Sequence, residues 1–459
     1  MTLTQLDLTA LLDALPQDAV ITDPDRMASY LLDRANAPDG GTPAAVVRAT
    51  CTEDVQAAVR FAVANGLKVV TRGAGSGLSG GATALEGCLM VSTERMREID
   101  IDPRTRTVRV QPGLMNAEVK AEVAKEGLWY PPDPSSYEIC SIGGNVATNA
   151  GGLCCVKYGV TTDYVLGLTV VLADGTAVTL GGPRIKDKAG LPLVKLFVGS
   201  EGTLGIVTEA VLKLLPAQRT PCTMVATFGK LDNATDAVAE IQRGLRPSML
   251  EFMDKACINA VEDLTKMGLD REAEALLVIQ SDESTAAAVE ELATIEAICQ
   301  KHHATEVFTT EDPEEGEAFV TARRMAIPAV EAKGSLLLED VGVPLPQLSA
   351  LVDGIAAIAA NRQVEIAVVA HAGDGNTHPL IVFDPSDADH AARAQQAYGE
   401  VMSLAIELGG TITGEHGVGR LKKPWLGAQL GDDAMALNQR IKDALDPTGI
   451  FNPGTMFEG

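Results

Sequence analysis

Arg72-Gly73-Ala74-Gly75-Ser76-Gly77-Leu78-Ser79-Gly80-Gly81 puts five glycines into ten residues, and it follows directly on a β-α-β pattern. Residues 44–47 read as a strand. Thr52 then caps a helix with Glu53 and Asp54 in its first turn, where carboxylates favour the positive end of the helix dipole. Gly66 closes that helix, and residues 67–71 return to strand. Glycines this dense let a backbone approach a ligand closely and aim several N–H groups at it, as a diphosphate requires. No Gly-Lys-Ser/Thr follows, which excludes a nucleoside-triphosphate loop. Residues 88–92 are strand-like, so the dinucleotide fingerprint that opens a helix does not fit either.

Further glycine-rich segments follow. Pro131-Pro132-Asp133-Pro134 leads into Ser141-Ile142-Gly143-Gly144-Asn145-Val146-Ala147-Thr148-Asn149-Ala150-Gly151-Gly152. Small residues with spaced Ser and Asn suit a wall packed flat against a large planar ligand, with amides bonding its edge. A strand over residues 165–173 ends in an Asp174-Gly175 hairpin, and Gly199-Ser200-Glu201-Gly202-Thr203-Leu204-Gly205 brackets another turn before a strand.

Beyond Pro216 the pattern changes. Strands over 223–228 and 275–280 and helices over 234–243 and 284–303 predict an α+β domain, an antiparallel sheet with helices on one face. Within it lies His371-Ala372-Gly373-Asp374-Gly375-Asn376-Thr377-His378, between apolar strands 365–370 and 379–383. A two-residue turn at Asp374-Gly375 would pair Gly373 with Asn376, Ala372 with Thr377 and His371 with His378. Opposed residues carry their Cβ atoms roughly 4.5–5.5 Å apart, a spacing at which two imidazoles share one metal ion. Glu415, in Gly414-Glu415-His416-Gly417, is the candidate third ligand and leaves a coordination position open for substrate. The competing reading makes each histidine a hydrogen-bonded structural residue. His302, His303 and His390 sit in polar surroundings and receive no role.

At 459 residues the chain is too long for one ordinary core. No apolar run approaches the roughly twenty residues needed to span a bilayer. The N-terminal stretch lacks a basic start and a continuous apolar run, so a cytoplasmic protein is expected. The net charge of −25 argues against nucleic acid as a partner. Eight cysteines without a CxxC pair give no disulfide framework and no iron–sulfur pattern, and the adjacent Cys154 and Cys155 read as buried small residues.

RGAGSGLSGG, CSIGGNVATNAGG, GSEGTLGIVTE, HAGDGNTH and GEHGVG together resemble the vanillyl-alcohol-oxidase/PCMH family of FAD enzymes over nearly the whole chain. Within it the likeness is to the branch of glycolate oxidase D subunits, D-lactate dehydrogenases and D-2-hydroxyglutarate dehydrogenases. The resemblance implies an α+β protein. A PCMH-type FAD-binding domain of two α/β subdomains would span residues 1–217, a substrate cap with the metal site 218–415, and a tail returning to the FAD domain 416–459. It implies FAD with its diphosphate at Arg72, Gly73, Ala74, Gly75, Ser76, Gly77 and Leu78. Further contacts would come from Pro132, Asp133, Ser141, Gly144, Asn145, Asn149, Gly151, Ile206 and Asn452. No histidine precedes His302, so the FAD is expected to be non-covalent.

The resemblance also matches Arg323 to a substrate-carboxylate residue, for which a guanidinium offers two parallel hydrogen bonds. The Trp usual shortly before that Arg is replaced here by the Phe319-Val320 region. Leu338 stands where the hydroxyglutarate branch tends to have Lys, which favours a short or apolar-tailed acid. The implied reaction is oxidation of a D-2-hydroxy acid (D-lactate or glycolate-like) to the 2-oxo acid. FAD would take the hydride, and a divalent metal, zinc with manganese and iron as alternatives, would bind the hydroxyl. His416 would act as base, since imidazole with an ordinary pKa of about 6.5 suits that task. Alternation along an extended segment would turn Glu415 to the metal and His416 to the substrate. Electrons would pass to a separate acceptor: a quinone, a cytochrome, an electron-transfer protein or an iron–sulfur subunit. A homodimer is compatible with this scheme. The alternatives are a D-2-hydroxyglutarate dehydrogenase, a non-oxidising enzyme of the alkylglycerone-phosphate-synthase kind, and a subunit that only relays electrons.

Overall fold

The computed structural model describes residues 6–458 apart from 36, 38 and 39, so the first five residues of the N-terminal reading lie outside it. The chain forms two compact units. One comprises residues 1–150, 160–217 and 416–459, the other residues 151–159 and 218–415.

In the first unit, strands Ala45–Arg48, Leu89–Ser92 and Val69–Arg72 run parallel in that spatial order, with Val20–Ile21 antiparallel at one edge. Their side chains alternate cleanly between two cores. Ala45, Val47, Val69, Leu89 and Val91 face Val55, Val59 and Ala62 of helix Thr52–Asn65, while Val46, Val70 and Met90 pack with Ile21, Met27 and Ala84. The helix begins one residue earlier than its sequence suggests: Cys51 is the N-cap and Thr52 the first helical residue. Gly66, at φ +64°, closes it as expected. Arg48, Arg72 and Ser92 end the three strands in register, so the glycine-rich loop leaves the carboxyl edge of a parallel sheet. In open α/β sheets that edge is where ligands sit. A second sheet, wholly antiparallel, has the order Ile99–Asp102, Thr107–Val110, Ile206–Lys213, Val165–Val171, Ala177–Gly181.

The second unit is built on one antiparallel sheet. Its order is Ala304–Thr310, Cys222–Phe228, Ala275–Ser281, Met249–Asp254, Glu365–His371, Asn376–Phe383, Ser335–Leu338, with Val341–Gly342 also paired to Asn376–Phe383. Helices cover both faces, not the single face that the sequence predicts. Val225, Met249, Met253, Leu276, Val369 and Leu380 pack against helices Lys255–Thr265, Pro313–Arg324 and Ala326–Glu331. The alternate positions are buried as well, with helices Leu231–Gly244, Thr285–Lys301, Leu348–Arg362 and Ala388–Glu407 packed onto the sheet and one another. Every residue of Cys222–Phe228 is buried, and a strand with neither face exposed needs cover on both sides. No described helix is long and apolar enough to cross a membrane.

Candidate active site

Strands Glu365–His371 and Asn376–Phe383 do form a hairpin, but its register differs from the one predicted. His371 pairs with Asn376 and His378 with Val369, so the turn holds four residues, Ala372 to Gly375, not two. The His371 carbonyl accepts from Asp374 N (3.2 Å) and Gly375 N (3.1 Å), and Gly375 sits at φ +83°. The two histidines are therefore diagonal neighbours. A shift of two residues keeps side chains on the same face, where a shift of one would have separated them. Their ring centroids lie 5.1 Å apart with perpendicular planes.

The sheet continues the construction. Phe252 pairs with Ala370 and Met253 with Val369, so one step further along this register sets Glu251 beside His371. The His371 Nδ1 lies 2.9 and 3.0 Å from the two Glu251 oxygens. Its Nε2 is 3.3 Å from Glu415 Oε1, and His378 Nε2 is also 3.3 Å from that oxygen. Donor atoms of His371, His378 and Glu415 all lie within 4.8 Å of one another. Two imidazole nitrogens and a carboxylate oxygen at this spacing form a donor set that fits a divalent ion. Both histidines are 3 % exposed.

Each of the two histidines is backed by a buried carboxylate. Glu251 holds His371, and Asp340 Oδ1 is 3.7 Å from His378 Nδ1. Asp340 also accepts from Asn376 Nδ2 (2.8 Å), Thr413 Oγ1 (2.7 Å), Gly414 N (3.0 Å) and Glu415 N (3.1 Å). Carboxylates behind metal-ligating histidines fix ring orientation and raise basicity. Burial alone would lower the proton affinity of His371, but Glu251 and Glu415 outweigh it and hold the imidazole well above its ordinary range. Burial likewise opposes the charge on Glu415, yet His371 and His378 hold that carboxyl well below the usual range. An imidazolium sandwiched between carboxylates is an arrangement that a cation can replace, with release of the proton.

Arg323 lies in the last turn of helix Pro313–Arg324, is 2 % exposed and places Nη2 2.6 Å from Glu251 Oε2. Its Nε is buried with no acceptor among the described residues. Gly151 belongs to the second unit, where a Cβ would come within 2.7 Å of Glu415 Oε2, so its lack of a side chain makes room for that ligand. The segment around Glu415 and His416 is a run of bends, with Gly417 at φ +87°, so the strand-like alternation expected there does not apply. Sequence reading missed Glu251 and Asp340. The signal was Glu251 in the midst of the apolar residues of strand Met249–Asp254 and the Glu339-Asp340 pair directly after Ser335–Leu338, where a buried charge requires a partner.

In the first unit the expected cofactor residues interlock. Ser141 Oγ accepts from Gly144 N (3.2 Å) at the start of helix Ile142–Thr148 and from Ala74 N (3.3 Å) in the glycine loop. A Cβ on Gly73 would lie 2.4 Å from that oxygen, which is why the loop needs glycine there. Arg72 turns back to the Ala82 and Ser29 carbonyls. Asn116 Nδ2 links the Pro132 carbonyl to Asn145 Oδ1, and Asn149 Oδ1 accepts from Thr162 N. Asn452 Nδ2 bridges the Gly81 and Glu201 carbonyls, and Ile206 opens its strand from the core. Gly75, Ser76, Gly77 and Leu78 are half-buried along the loop, as is Asp133 in its own segment. Thr71 Oγ1 and Asn452 Oδ1 are buried without a partner among the described residues, polar atoms that a bound cofactor would satisfy.

Two family models match the chain: "FAD binding domain" over residues 43–181 and "FAD linked oxidases, C-terminal domain" over 217–456. The chain is 42% identical over 418 residues to the glycolate oxidase subunit GlcD of Bacillus subtilis, covering 90% of this chain and 89% of that one. It is 34% identical over 424 residues to the D-lactate dehydrogenase of Archaeoglobus fulgidus, with 91% and 92% covered. Among solved structures, p-cresol methylhydroxylase with substrate bound superposes with a TM-score of 0.82 at 15% identity, covering 98% of this chain and 96% of that one. The 4-ethylphenol oxidase of Gulosibacter chungangensis gives 0.81 at 17% identity, with the same coverage. Those likenesses define a PCMH-type fold with an antiparallel cap sheet. The chain thus belongs to the FAD-linked oxidases, as an oxidoreductase of the glycolate oxidase and D-lactate dehydrogenase type acting on CH–OH groups.

Proposed function

We propose that this chain oxidises a D-2-hydroxy acid with a short or apolar tail, such as D-lactate, or glycolate itself, to the 2-oxo acid. The observation that carries the proposal is the convergence of His371 Nε2, His378 Nε2 and Glu415 Oε1 behind two buried carboxylates. A divalent ion at these three ligands, zinc in the first instance, would supply Lewis acidity toward the substrate hydroxyl. Non-covalent FAD, when bound, would supply the hydride acceptor. Glu251 and Asp340 keep the ligands oriented. His416 takes the hydroxyl proton as it leaves. Arg323 forms an ion pair with Glu251 through Nη2 and offers its guanidinium to the substrate carboxylate; Nε and Nη2 are both buried with no hydrogen-bond partner among the described residues. Electrons leave to a separate acceptor. Eight free cysteines are compatible with the reducing cytoplasm, where we place the protein.

Anaerobic mixing of the purified yellow protein with a panel of D-2-hydroxy acids tests the reading. D-lactate or glycolate should bleach the flavin absorbance, a chelator should abolish the bleaching, and zinc or manganese should restore it. His416→Ala should retain flavin and lose about 10²–10⁴-fold in turnover. A flavin that no member of the panel reduces would point to non-oxidising chemistry and end the proposal.

A further inference from the structure

Glu201 stands in Gly199–Gly205 with a left-handed backbone, φ +50°, a conformation that glycine adopts freely and glutamate does not. Glycine occupies positions 199, 202 and 205, whereas position 201 carries a glutamate in this strained conformation. That side chain is buried. Its Oε1 accepts from Val418 N (2.7 Å) and its Oε2 from Gly419 N (2.8 Å). Glu201 is itself anchored: its N–H donates to the Ala147 carbonyl (2.8 Å) and its carbonyl accepts from Asn452 Nδ2 (2.8 Å). Burial pushes its carboxyl up to about 7 against the two N–H groups that pull it down, a sign of how costly the placement is.

Ser79 works on the same stretch. Its hydroxyl donates to the His416 carbonyl (3.1 Å), and its own carbonyl accepts from Arg420 N (2.8 Å) and Leu421 N (3.2 Å). The backbone here has little room. A Cβ on Gly417 would come within 2.9 Å of Glu201 Oε1, and one on Gly419 within 1.9 Å of the Ser79 carbonyl. The peptide carrying His416 is therefore held by the Ser79 hydroxyl on its carbonyl and by the Glu201 carboxylate two residues on.

We propose that Glu201, with Ser79, is a positioning residue for His416, clamping residues 416–419 so that the imidazole is held where it must take the substrate proton. This rests on His416 being the base. A displaced base loses rate without losing substrate binding, and misplacement by about 1 Å costs on the order of 10²-fold.

The test uses FAD- and metal-loaded enzyme as Glu201→Gln, Ser79→Ala, His416→Ala and the two doubles with His416→Ala. The Gln variant presents an NH₂ to an N–H that needs an acceptor. It should lower kcat about 10–100-fold while KM stays within about twofold and flavin per chain is unchanged. Ser79→Ala should lower kcat about 3–10-fold with the same split between kcat and KM, and it carries the test alone should Glu201→Gln not fold. Neither substitution should reduce turnover further once His416 is Ala, because residues that act through one group are not additive. Impaired His416→Ala beside Glu201→Gln and Ser79→Ala at parental kcat would overturn the clamp alone. Full losses persisting in the His416→Ala background would do the same. His416→Ala at parental kcat would instead remove the base assignment and the clamp with it.

Discussion

Asp340 is fully buried, and its two oxygens accept from two backbone N–H groups, a threonine hydroxyl and an asparagine amide. These four groups are all donors, and a carboxylate can accept from every one of them. An isosteric amide would turn an NH₂ toward one of those donors and loosen Glu415 and Asn376 together. Asp340→Asn should weaken metal binding about 10–100-fold, read by competition against a chromophoric chelator, while flavin content is unaffected. Parental metal affinity would show that Asp340 serves folding alone. At this scale the sequence pointed to the candidate ligands and hid their supports. His371, His378 and Glu415 stood out because the chain has only six histidines and glycine surrounds these positions. Glu251 and Asp340 carry only the weak signal of a charge in or beside an apolar strand, and the carboxylate–imidazole contact at His371 joins residues 120 positions apart.

The strands and helices were mostly legible. Strands Cys222–Phe228 and Ala275–Ser281 and helices Leu231–Gly244 and Thr285–Lys301 match their sequence patterns within a few residues. The hairpin register was not. Asp-Gly is a strong two-residue turn signal, yet tertiary contacts at the tip select a longer turn. Gly373 N donates to the Leu250 carbonyl (3.0 Å), and Val343 N donates to the Gly375 carbonyl (3.2 Å). Gly375 combines φ +83° with a position where a Cβ would lie 2.2 Å from the Val343 carbonyl oxygen. Gly375→Ala should therefore cost about 1–3 kcal/mol in urea unfolding of the metal-free protein and weaken metal binding as His378 moves. An unchanged midpoint and unchanged metal affinity would mean that the turn yields without strain.

The chain as a whole carries its two sets of candidate ligand-binding residues in different compact units. All three candidate metal ligands lie in the unit that ends at Glu415, and the glycine-rich loop proposed for the cofactor lies in the other. A ligand stabilises the unit that binds it, by about 2.7 kcal/mol at a hundredfold excess over Kd. Calorimetry of protein stripped of both should show zinc raising one transition and FAD the other; a single transition moved equally by both would contradict the assignment. Sequence by itself determined the glycine-rich loop, the element types and the candidate donor residues, because backbone freedom, hydrophobic period and side-chain chemistry are local properties. Only the tertiary structure decided the hairpin register, the helices on both faces of the cap sheet, and the pairing of Glu251, Asp340 and Glu201 with backbone and imidazole. A buried carboxylate records in the sequence that it needs donors, but which donors reach it depends on how distant segments pack.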